Sequence, residues 1–258
     1  MEHSILFGDF VDLGSVSCRN QTVPYYDHNV VDYWHLRRRF QAQDIDVNKW
    51  LLKFELEEYG EPFVALFLND VNFDEVQIQG SDDDVTWTCY DSGVIDVSLD
   101  KRVDRYKVYI PMTGFDCMFL RIFIPATASL VTDGFSGGWE VGSVVGLGST
   151  FTVKKNAYTR TATKPYRDLS MPSGGNERVA LGDELKWEGS FVVDLRAESD
   201  EDDYLDINLM ENDQPMIFYE NTGDTSKAYL CLRDTEFEAN LLYRGAFRGN
   251  TIKMKELV

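Results

Sequence analysis

Phe73-Asp74-Glu75-Val76-Gln77-Ile78-Gln79-Gly80-Ser81-Asp82-Asp83-Asp84-Val85-Thr86-Trp87-Thr88 carries the clearest strand-and-turn pattern of the chain. Val76 and Ile78 alternate with Glu75, Gln77 and Gln79, the period of a strand with one buried face. Gly80 to Asp84 supplies residues that tolerate tight backbone geometry. Val85-Thr86-Trp87-Thr88 then starts a second strand, rich in β-branched and aromatic residues. In that phase Val85 and Trp87 share a face, and Trp87 is expected in the core.

Similar runs surround this stretch. Trp50, Leu52, Phe54 and Leu56 alternate with Leu51, Lys53, Glu55 and Glu57. Phe63 to Leu68 is almost continuously apolar, as a central strand requires. Tyr106, Val108 and Ile110 alternate before Pro111, and Met118, Leu120, Ile122 and Ile124 before Pro125. Trp139 to Val145 reads as the last strand of this half, with Trp139 in the core. Turn residues separate the runs at Tyr59–Pro62, Asn69-Asp70, Asp91–Gly93 and Thr113-Gly114. Short strands at this spacing predict an antiparallel sandwich.

A composition shift follows. The chain of 258 residues carries a formal net charge of −19, yet no acidic residue lies between Ser143 and Arg167. That segment holds Lys154, Lys155, Arg160, Lys164 and Arg167. It reads either as an extended arm docking on an acidic neighbour or as a strand and loop with a basic outer face. The expected domains are residues 1–145 and 146–258, with the boundary near Gly146-Leu147-Gly148.

The second half predicts a strand at Lys186–Leu195, then a helix over about residues 199–212. Ser199 is a small polar cap, and Asp200, Glu201 and Asp202 favour the positive end of the helix dipole. Further strands follow at Met216–Tyr219, Ala228–Leu232, Phe237–Tyr243 and Thr251–Leu257. Fold class is therefore mainly β, a sandwich followed by a smaller β-domain with one helix.

Charge and composition bound the function. A chain this acidic does not suit a nucleic-acid groove, which needs clustered Lys and Arg. Met1 to Phe7 lacks the basic start of a signal peptide, and no apolar window is long enough for a membrane helix. Cys18, Cys89, Cys117 and Cys231 contain no C-x-x-C pair. They read first as unpaired core thiols, with two disulfides also compatible.

Catalytic signatures are lacking. His3, His28 and His35 have no zinc spacing, and no G-x-S-x-G, Walker or G-x-G-x-x-G pattern occurs. No cofactor is expected. Asp82-Asp83-Asp84 and Asp200 to Asp203 offer hard oxygen ligands that suit calcium, though neither follows a D-x-D-x-D-G pattern. Tyr25, Tyr26, His28 and Trp34 combine aromatic rings with polar groups in a predicted loop. They suit a sugar, a partner chain or a plug at the end of the sandwich. Arg37-Arg38-Arg39 reads as a solvated edge or a surface for acidic groups.

The wording V-x-I-x-G-S-D-D-x-V-T-W at Val76–Trp87 resembles the central hairpin of galactose-binding-like (discoidin-type) β-sandwiches. The order Trp187–Phe191, acidic-start helix, Gln214–Tyr219, Lys227–Leu232 and a final strand pair resembles the small β-domain of tailed-phage distal-tail and upper-baseplate proteins. These resemblances imply a jelly-roll sandwich and a barrel-like domain in a structural virion protein of a phage tail end. They imply a protein made in the host cytoplasm and residing in the tail, with other tail proteins and copies of itself as partners, and no turnover. Lys154, Lys155, Arg160, Lys164 and Arg167 are the candidate assembly interface. The alternative is a carbohydrate-binding adhesin that takes a glycan at the sandwich loops.

Overall fold

The structure is a computed structural model. It describes residues 4–7, 10–31, 39–56, 63–100, 105–131, 137–148, 151–153, 159–163, 166–170, 176–180, 186–195, 215–220, 227–233, 239–241 and 247–256. Its first strands are β1 (Ser4–Phe7), β2 (Phe10–Val11) and β3 (Ser15–Cys18), then a 3₁₀ turn at Asp27–Val30 and β4 (Phe40–Gln41). Next come β5 (Lys49–Glu55), β6 (Ala65–Val71), β7 (Glu75–Ser81), β8 (Tyr90–Asp96), β9 (Ser98–Asp100), β10 (Arg105–Pro111), β11 (Phe119–Ile124) and β12 (Glu140–Leu147). After these are β13 (Phe151–Val153), β14 (Thr159–Thr163), β15 (Tyr166–Ser170), β16 (Asn176–Ala180) and β17 (Lys186–Leu195). The chain continues through β18 (Pro215–Tyr219), β19 (Ala228–Arg233), β20 (Ala239–Leu241) and β21 (Phe247–Glu256). The protein is mainly β, with antiparallel sheets.

Two compact units divide the chain. The first, Phe7–Thr150 with Asn221–Ala228, holds a six-stranded sheet of order β2-β12-β6-β10-β9, with β4 on β12, and a five-stranded sheet of order β3-β5-β11-β7-β8. Their apolar faces meet in one cluster. The five-stranded sheet contributes Leu52, Phe54, Val76, Ile78, Leu120 and Ile122, and the six-stranded sheet Leu66, Leu68, Val108, Ile110, Val141 and Val144. The alternation explains this: in β11, and in β7 as far as Gly80, every second residue is buried, and the ones between point out of the cluster. β6 pairs on both sides, with β10 and β12, and Ala65 to Leu68 are buried on both faces, as the apolar run requires. Trp139 is 2% exposed, meets Phe73 edge to face at 6.2 Å, and donates its indole N–H to the Asp46 carbonyl at 3.0 Å.

β5 departs from simple alternation. Ile122 faces Leu52 while Phe123 faces Trp50, so Leu51 is the extra residue of a bulge. Leu51 and Leu52 are consequently both buried, and Trp50 and Lys53 both stay on the outer face.

The second unit is built on an eight-stranded sheet of order β13-β1-β18-β19-β21-β17-β14, with β20 on β21. β17 and β21 pair along most of their length, and Met216 to Tyr219 of β18 are all buried. β15 and β16 form a separate two-stranded ladder. The N-terminal strand belongs here, because Ser4, Ile5 and Leu6 of β1 pair with Val153, Thr152 and Phe151 of β13.

Several expectations need correction. Gly146 and Leu147, where the boundary was expected, still belong to β12, facing Leu66 and Ala65, and the units divide after Thr150. Strand β1 joins the second unit rather than the first. Val85 to Thr88 is not a strand, and the partner of β7 begins only at Tyr90. Trp87 is half-buried outside the core, and Val85 is 80% exposed. Cys89 and Cys117 are joined in a disulfide, while Cys18 and Cys231 are free. Of the two readings of the basic segment, its described part follows the strand one: Arg160 in β14 faces Gly189 of β17, and Arg167 in β15 faces Val179 of β16. The helix expected over 199–212 lies outside the described residues. Among those, the 3₁₀ turn is the helical element, and no helix is long and apolar enough to cross a membrane.

Candidate recognition face

The outer face of the five-stranded sheet gathers the chemistry. Register sets one cross-strand row of Ser17, Lys53, Arg121, Gln79 and Asp91. The neighbouring row holds Trp50, Phe123, Gln77 and Val94. Each follows from the alternation that sends Leu52, Ile122 and Ile78 inward. Trp50, Phe123 and Trp87 are all half-buried, neither core nor fully solvated.

Arg121 is the hub. Its guanidinium carbon lies 4.2 Å from the Trp87 ring centre and 5.4 Å from that of Phe123. Its Nε donates to Gln79 Oε1 at 2.8 Å. Burial pulls its pKa down and the nearby Asp84 carboxylate opposes this; an arginine stays charged regardless. Lys53 pairs with Asp84 at 2.6 Å and lies 6.0 Å from the Trp50 ring centre. Gln77 donates to Asp91 at 2.7 Å. Rings, amides and cations are held against one another before any ligand arrives.

Trp87 reaches this face because of its loop. Asp83 Oδ1 accepts from Val85 N at 2.9 Å, Thr86 N at 2.6 Å and Ser81 Oγ at 3.0 Å. These bonds, led by the Thr86 N–H, hold the Asp83 carboxyl down at about 2. Such a side-chain turn takes the backbone out of extended pairing, which is why the Val85–Thr88 strand does not form. Asp84 has φ 59°, and the Cys89–Cys117 disulfide ties the far end of the loop to the segment before β11.

The remaining candidates lie elsewhere. Tyr25 forms a bridge with Thr22, and Tyr26 stacks on His28 with ring centres 5.5 Å apart. His28 is exposed, while Asn29 and Val30 beside it are buried and anchor the turn. Cys18 is near this turn; burial, reinforced by the Asp27 carboxylate, pushes its thiol up to about 11. Trp34, His3, His35, Arg37 and Arg38 lie outside the described residues, as do Lys154, Lys155, Lys164 and the Asp200–Asp203 cluster. Arg39 pairs with buried Glu140 at 2.7 Å, so it is a structural cation rather than a solvated edge.

Calcium chemistry at Asp82–Asp84 finds its carboxylates engaged. Asp83 caps its own turn and Asp84 pairs with Lys53. Asp82 comes close to Cys89 and Cys117, but those two sulfurs are bonded to each other. Sequence reading missed the face because its residues come from separate strands and a loop, and only the register brings them together.

No protein-family model, no curated protein and no solved structure matches this chain.

Proposed function

We propose that this protein is a structural component of a phage tail end, a baseplate, distal-tail or tail-tip adaptor protein that works by protein–protein assembly and has no turnover. The observation that carries the reading is the second unit. β17, β18, β19, β20 and β21 share one sheet in the chain region whose pattern resembles distal-tail and upper-baseplate domains. The finer architecture belongs to the same reading: a galactose-binding-like jelly roll in the first unit, and a helix near 199–212 in a barrel-like second unit. Two antiparallel sheets sharing one core support the first of these.

Partners on this reading are other tail proteins and copies of the chain, and its place is the virion. A net charge of −19 makes like subunits repel unless oppositely charged patches meet. Lys154, Lys155, Arg160, Lys164 and Arg167 are the basic residues that this reading assigns to such a contact. Replacing Lys154, Lys155 and Arg160 with Glu is expected to block incorporation into particles while the purified chain keeps its circular-dichroism spectrum and melting temperature. Normal incorporation of the triple variant would remove this interface.

A second reading, a carbohydrate-binding adhesin, is favoured by the aromatic outer face rather than by the Tyr25–His28 turn.

A further inference from the structure

We propose that the outer face of the five-stranded sheet is a binding site for a neutral oligosaccharide, centred on Trp87, Arg121 and Phe123. This rests on the adhesin reading and adds a site and a ligand class to it. It does not depend on the chain being a tail protein.

Three observations lead to this ligand. First, the aromatic rings are placed for stacking. Trp50 and Phe123 are directly opposed on neighbouring strands, so they stand about 5 Å apart at the backbone, and Trp87 lies over the next row. All three are half-buried, and their apolar faces suit the C–H faces of sugar rings. Second, planar hydrogen-bonding groups lie between and beside the rings. Gln77 and Gln79 each carry donor and acceptor atoms, and Arg121 adds a fork of N–H donors. Hydroxyl groups, which both donate and accept, match that mixture better than a purely anionic ligand.

Third, the charges cancel locally. Lys53 is bonded to Asp84, Arg121 faces that same carboxylate, and Asp91 accepts from Gln77. At the centre of the face two cations thus meet two carboxylates, while Glu55, Glu75 and Asp96 add negative charge toward its ends. A polyanion would also meet the field of a chain with net charge −19. A neutral polyhydroxy ligand avoids both costs.

The site is also fixed in advance. Trp87 is held by the Asp83 turn, by Arg121 and by the nearby Cys89–Cys117 link. Little side-chain freedom remains to be lost on binding.

The full chain is applied to an array of neutral hexose and N-acetylhexosamine oligosaccharides, with sialylated and sulfated glycans on the same array. A neutral hit is then measured by titration calorimetry. We expect binding of at least one neutral oligosaccharide, weakened at least tenfold in Trp87→Ala and in Phe123→Ala, and unchanged in Tyr26→Ala. Gln79→Leu leaves the aromatic packing in place and is the second variant; it too should weaken binding while the melting temperature holds. Four results would overturn the proposal. These are no neutral glycan bound, binding confined to the acidic glycans, full affinity in Gln79→Leu and the aromatic variants alike, or loss of affinity in Tyr26→Ala with the outer-face variants unaffected. The last would keep the adhesin reading and move it to the turn, whereas silence across the whole array would remove both.

Discussion

Asp83 shows how one side chain sets a loop. Its folded pKa of about 2 lies below the ordinary 3.8, so its contribution to stability is complete above the ordinary value and is lost as the pH falls through the lower one. Asp83→Ala should therefore lower the melting temperature at neutral pH, and the gap to wild type should close as the pH drops toward 2. A gap that is constant with pH would mean that the carboxylate does not hold the turn. The two tryptophans make the complementary case. Trp139, buried in the core and hydrogen-bonded, should cost about 3–5 kcal/mol as Trp139→Ala in urea denaturation. Trp87, half-buried over a guanidinium, should cost about 1–2 kcal/mol. Equal costs would mean that Trp87 is a core residue after all. The sequence has Trp87 in phase with Val85 and so places it inside; the Asp83 carboxylate, bonding the N–H groups of Val85 and Thr86, forms a turn that overrides that phase.

Strands of the first unit were legible where exposure alternates cleanly, as in β7 and β11, and where an apolar run is buried on both faces, as in β6. The bulge in β5 was not, because an extra residue is invisible until its partner strand is known. The disulfide was hidden for a similar reason. Cys89 and Cys117 are 28 residues apart in sequence, and the pairing of β7 with both β8 and β11 brings their Cα atoms to 6.2 Å. Closing a loop of that length is worth about 3–4 kcal/mol in the chain-entropy view. Thiol counting checks the pairing directly. The native protein at pH 8 should show no fast-reacting thiol, since Cys18 is held up to about 11 and Cys231 is buried. Unfolding without reductant should expose two thiols, and reduction should raise the count to four. Four thiols before reduction would rule the disulfide out. β7 itself depends on the link being close: a Cβ at Gly80 would come within 2.5 Å of Cys117 Sγ. Gly80→Ala should cost about 1–3 kcal/mol by overpacking.

At the scale of the molecule, most of the long strands could be read from sequence, but β8, which runs through the expected Asp91–Gly93 turn, and the interleaving of the chain could not. Nothing local to Ser4–Phe7 says that it pairs with a strand beginning at Phe151. This has a consequence for cleavage. A protease site inserted between Gly148 and Phe151 should, when cut, leave two pieces that copurify until denaturant is added, because β1 stays in the sheet of the second unit. Free separation under native conditions would mean that β1 is not held there. The recognition face was equally illegible as a whole, since its members lie on β5, β7, β11 and a loop, and register alone assembles them. The central claim, that the protein acts by assembly at a phage tail end, meets its most direct test in a mass-spectrometric inventory of phage particles purified from cells that carry the gene. The chain is expected in those particles, in fixed ratio to the tail proteins. Its absence from intact particles, with the chain abundant in the lysate, would rule out assembly at the tail.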